Sequence, residues 1–166
     1  KMPLNMVYAR AIHQIFPDSK IIFCIRHPLD VILSCFFQNF ILNDAMINFL
    51  NLDRTATLYS LTAQIFNSYK EIPKEQIYLL KYENLVDNFE KELRSLSVFL
   101  NIKKESNMNN FFSTISKKQR IRTASYNQVN KPLYKTSKYK WLNYKHELKP
   151  IIKIVEKWIK YYNYSV

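Results

Sequence analysis

The sequence contains no glycine, although an average chain of its 166 residues carries about 12. Glycine is the usual residue for turns with positive φ and for loops whose backbone wraps a phosphate. Its absence rules out a dinucleotide-binding fingerprint and a Walker A loop in this chain. The chain starts Lys1-Met2-Pro3, with no initiator methionine, and reads as a fragment whose N-terminal part lies elsewhere.

The apolar pattern alternates between helix and strand. Leu4, Val7, Ala11 and Ile15 stand near helical spacing over 3–16, with Pro3 suited to the first turn and Pro17-Asp18 as a stop. KIIFCIR (20–26) is a short, continuous apolar run, the pattern of a strand buried on both faces. A helix from Pro28 to Phe40 follows, with Asp30 in its first turn. Asp53 caps a long helix over 54–70, with Ala56, Tyr59, Leu61, Ala63 and Phe66 facing inward, and Pro73 breaks the pattern. Residues 77–80 form a second strand, Asn88 caps a helix over 89–100, and a last helix runs from Pro150 to Tyr162. Residues 101–140 are mostly polar and irregular. The alternation predicts an α/β fold with a parallel sheet, and the length fits one domain over 1–166.

Lys and Arg outnumber Asp and Glu by 25 to 13, a formal charge of +12. This favours an anionic partner, whether nucleic acid, an acidic membrane surface or a phosphorylated small molecule, although a Lys- and Tyr-rich genome gives the same composition. Cys24 and Cys35 match no zinc spacing and read as buried free thiols, which points to a reducing, cytoplasmic compartment. No apolar run reaches the ~18 residues of a membrane span.

The chemistry concentrates at three places. Arg26 closes the first strand, where open α/β sheets place ligands, and the following helix aims its N-terminal N–H groups at the same crevice. Ser34 adds a hydroxyl, and together these make a phosphate site. Alternatively, Arg26 pairs with Asp30 and Ser34 bonds back to a helix carbonyl. Tyr82, just past the second strand, either packs on a base or sugar or is an edge aromatic. Residues 117–141 carry many cations and hydroxyls with few apolar groups, and are either a functional loop or disordered.

KMPLN with FPDSKIIFCIRHPLDVILSCFFQNF, then YENLV with LRSLSVFLNI, then RTASYNQVNKPLYKTSKYKWLNYKHEL, resemble the C-terminal two-thirds of a sulfotransferase catalytic domain. The likeness is to bacterial sulfotransferases fused to tetratricopeptide repeats and to protein-tyrosine sulfotransferases. It implies a P-loop-NTPase-like parallel sheet flanked by helices, incomplete here because the first strand and the 5′-phosphosulfate loop are missing. It also implies 3′-phosphoadenosine 5′-phosphosulfate as donor, no metal, a hydroxyl or amine acceptor of unknown identity, and an upstream tetratricopeptide region. Carried over, Arg26 and Ser34 bind the 3′-phosphate, Tyr82 lies at the nucleotide and Lys140 at the donor's phosphates. Ser125 helps bind and stabilise the transferring group, and Lys1 stands beside it. The catalytic base lies upstream of residue 1, and the fragment alone is inactive. The competing readings are a basic nucleic-acid-binding domain and an inactive relic.

Overall fold

β1 (Ile21–Ile25) and β2 (Ile77–Lys81) pair in parallel, with Ile21 opposite Ile77 and Ile25 opposite Lys81. The computed structural model describes residues 4–103, 108 and 135–166. Parallel neighbours require a long crossover. Here it consists of α2 (Pro28–Phe37), a 3₁₀ turn (Met46–Leu50), α3 (Leu52–Ser68) and a second 3₁₀ turn (Lys74–Gln76). Before β1 stands α1 (Ala9–Ile15), preceded by a 3₁₀ turn, Asn5–Tyr8. After β2 come α4 (Tyr82–Asp87) and α5 (Phe89–Leu100). The C-terminal part is one helical run: a 3₁₀ turn (Lys140–Tyr144), α6 (Lys145–Leu148), a 3₁₀ turn (Lys149–Ile151) and α7 (Ile152–Tyr161).

Two apolar clusters hold these elements. Phe23 and Ile25 of β1 pack with Ala63 and Phe66 of α3 and with Trp158 and Tyr162; the Phe23 and Phe66 rings stack with centroids 4.1 Å apart. Leu29, Ile32 and Leu33 of α2 pack with Ala56, Trp141, Leu148, Ile151, Val155 and Ile159. Tyr59 and Tyr164 touch both clusters. In α7 the buried residues Val155, Trp158 and Ile159 recur at three- and four-residue spacing, so one helical face enters the core.

With no glycine, other residues supply the positive φ values: Asn101 (57°), Tyr139 (53°) and Asn163 (55°) among the described residues. Asn101 ends α5, with Ile102 N–H donating to the Ser97 carbonyl and Asn101 N–H to the Val98 carbonyl, both at 3.0 Å. Asn163 ends α7 in the same way, with Tyr164 N–H on the Ile159 carbonyl at 2.8 Å and Asn163 N–H on the Lys160 carbonyl at 3.0 Å. Both are Schellman ends, with asparagine where glycine is commonest.

The structure corrects several expectations. β1 is buried on one face only: Phe23 and Ile25 face α3 and α7, whereas Ile22 and Cys24 are exposed among the described residues. Cys24 is therefore not a buried thiol. Cys35 is half-buried, and burial pushes its thiol up to about 11, which keeps it protonated. α2 ends at Phe37, not Phe40. α3 is capped by Asn51, whose Oδ1 accepts from Arg54 N–H at 3.0 Å, so Asp53 lies inside the first turn; Leu61 points outward. The N-terminal segment buries only Ala9, and Ile15 is exposed. No described helix is long and apolar enough to cross a membrane.

Candidate functional site

The strand register builds the site. Ile25 lies opposite Lys81, so the next residues, Arg26 and Tyr82, emerge side by side from the C-terminal ends of the strands. The Arg26 guanidinium lies over the Tyr82 ring, 5.1 Å from its centroid. One residue further on, His27 N–H donates to Glu83 Oε1 at 2.9 Å. The chain then turns into α2. Pro28 suits the first helical position, and His27 caps the helix through Nδ1, which accepts from Leu29 N–H at 3.3 Å.

Arg26 is held on two sides. Its Nε donates to Asp30 Oδ2 at 3.4 Å, and Nη2 lies 3.2 Å from the same oxygen. Nη2 also donates to the Ser137 carbonyl. The expected alternative of an Arg26–Asp30 pair is therefore present, but it does not remove Arg26 from the crevice. Arg26, Asp30, Leu33, Ser34, Phe37, Gln38, Ser137 and Lys140 line a polar cavity of about 220 Å³. Ser34 is exposed. Lys140 is exposed; its Nζ stands 5.8 Å from the Phe37 ring centroid, and it has no carboxylate partner among the described residues. The cavity wall thus carries two cations, one carboxylate, two serines and an amide, a donor-rich surface suited to a phosphate.

Three of the residues singled out in the sequence, Arg26, Ser34 and Lys140, meet at this cavity, and Tyr82 adjoins it through Arg26. Ser125 and Lys1 lie outside the described residues. The sequence reading missed the roles of Ser137, Glu83 and the C-terminal tail. Their signal was faint because each acts across 56 to 138 residues of chain.

The C-terminal tail bonds the residues at the strand ends. Ser165 brings its carbonyl 3.0 Å from His27 Nε2, Tyr164 OH donates to Glu83 Oε2 at 2.7 Å, and Lys81 Nζ donates to the Tyr162 carbonyl at 2.6 Å. With Nδ1 accepting from Leu29, Nε2 carries the proton and donates to Ser165. His27 is wholly buried, stacked on Trp141 with centroids 4.8 Å apart. Burial holds its imidazole below the ordinary 6.5, opposed by the Ser165 bond and by Asp30 and Glu83. It is a structural histidine. Glu83 beside Tyr164 pushes that phenol further up than burial alone does. No group of three or more His, Cys, Asp or Glu side chains able to hold a metal ion occurs among the described residues.

The Sulfotransferase family matches residues 1–106, a stretch containing both strands, Arg26, Ser34 and Tyr82. Over 161 residues the chain is also 30% identical to an uncharacterized protein of Aquifex aeolicus (strain VF5). That likeness takes in 96% of this chain but 21% of the relative, so the chain spans about a fifth of its relative's length.

Proposed function

Because the chain belongs to the sulfotransferase family, we propose that its polar cavity binds the 3′-phosphate of 3′-phosphoadenosine 5′-phosphosulfate, holding the donor for transfer to a hydroxyl or amine acceptor. The observation that carries this reading is convergence. Arg26 from the end of β1, Ser34 from α2 and Lys140 from the C-terminal run, 114 residues beyond Arg26 in sequence numbering, line one cavity. Nε and Nη2 of Arg26 are already anchored, so the plane of the guanidinium is set before a ligand arrives. Ser34 adds a hydroxyl donor and Lys140 a mobile point charge. Tyr82 offers a flat face at the neighbouring strand end for the nucleotide.

The donor brings the sulfonyl group and its leaving phosphate. The residues of this chain contribute position, since binding energy won at a remote phosphate fixes the reacting end. On the resemblance, we assign Ser125 and Lys1 to the transferring group, where a hydroxyl and an ammonium offset developing negative charge.

The test is a thermal shift with 3′-phosphoadenosine 5′-phosphate (PAP) on the chain and on Arg26→Ala. Stabilisation of the chain that is lost in Arg26→Ala is the expected result. Equal shifts in both would contradict the reading. Equal, salt-sensitive binding of random oligonucleotides by both would point to a nucleic-acid binder instead.

A further inference from the structure

Asp30 combines features that the phosphate reading leaves unexplained. It is a carboxylate with 0% of its side chain exposed, inside a site meant for an anion. A buried charge of this kind is costly unless it is fully paired. Its pairing is extensive: Oδ1 accepts from Trp141 N–H at 2.9 Å, and Oδ2 accepts from Tyr139 N–H at 2.8 Å and from Arg26 Nε. The two amides belong to the residues on either side of Lys140, so one carboxylate grips the backbone on both flanks of that lysine. The third positive-φ residue, Tyr139, sits at this grip with φ 53° and ψ 30°. Unlike asparagine, tyrosine has no local side-chain bond that eases the left-handed region, so the surroundings must hold it there.

Resting on the phosphate reading, we propose that Asp30 is a positioning residue that assembles the anion site from two distant parts of the chain. It orients Arg26 from one side and pins the Tyr139–Trp141 backbone on the other, so that Lys140 faces the same cavity. The ion-pair anchor of this segment is weaker. Asp87 pairs with Lys138 and, at 3.4 Å, with Lys135, but its side chain is 34% exposed and such ion pairs contribute little. Asp30 does not act by contacting the ligand, since a carboxylate facing a phosphate repels it.

That repulsion gives the test a sign. If Asp30 were only a nearby negative charge, Asp30→Asn would tighten PAP binding. As a positioning residue it predicts the opposite. Calorimetric titration of PAP into the full chain, Asp30→Asn, Lys140→Ala and the double variant decides between them. The expected results are a loss of about tenfold for Lys140→Ala and a similar loss for Asp30→Asn. In the Asp30→Asn background, Lys140→Ala then costs less than about threefold, because the lysine is already misplaced. Unchanged or tighter binding by Asp30→Asn, or a full Lys140→Ala loss in that background, overturns the inference while leaving the phosphate reading intact. Failure of the unsubstituted chain to bind PAP overturns both. Should Asp30→Asn not fold, amide exchange in the unsubstituted, ligand-free chain decides. Protection at Tyr139 and Trp141 supports the grip, and exchange at the rate of exposed amides overturns it.

Discussion

His27 shows how one side chain can join three parts of the molecule. It caps α2, stacks on Trp141, meets Tyr164 edge-on at 5.1 Å and donates to the Ser165 carbonyl. His27→Ala removes the cap and the stacking partner together and should destabilise the chain by about 3 kcal/mol, read by urea unfolding. The residue also sets a pH dependence. Its folded value lies below 6.5, so between that value and 6.5 the unfolded chain holds a proton that the native chain lacks. Stability from this group is therefore full above about pH 6.5 and is lost as pH falls toward the folded value. His27→Gln should flatten that part of the stability–pH curve; an unchanged slope would assign the protons elsewhere. Nearby, Tyr164→Phe leaves a Glu83 oxygen, buried with its residue, without its 2.7 Å donor and should cost about 1–3 kcal/mol in the same assay.

At the scale of elements, the two Schellman ends show asparagine serving in place of glycine. At Asn101, substitution by alanine should cost about 1 kcal/mol, whereas glycine should be neutral or stabilising, because only the Cβ opposes the left-handed backbone. Thermal melts of the two variants check this. The elements themselves were legible where periodicity was strong: both strands, α3 and α5 lie within two residues of their expected ends. Caps were harder to read. Asp53 and Asn51 both precede an apolar run, and the choice fell to the residue with extended backbone, Asn51 at φ −143° and ψ 135°. The burial of β1 was misjudged because a continuous apolar run shows that faces could be buried but not whether anything covers them.

For the whole molecule, the site is a closure problem. Arg26 and Ser34 could be read directly, since a strand end and the next helix are neighbours in sequence. Lys140 came only from resemblance, and the Asp30 grip could not be read, since 109 and 111 residues separate its partners. The C-terminal tail does comparable work by bonding His27, Lys81 and Glu83 at the strand ends. Truncation after Tyr161 should therefore lower the melting temperature and weaken PAP binding together, whereas loss of stability without loss of affinity would detach the tail from the site. The central claim is that the cavity recognises a 3′-phosphate. The most direct measurement is the affinity ratio of PAP to adenosine 5′-phosphate, in the full chain and in Arg26→Ala. The account predicts a preference for PAP of about a hundredfold in the full chain, falling to a few-fold in the variant. A ratio near one in the full chain, or one unchanged by the substitution, would contradict it.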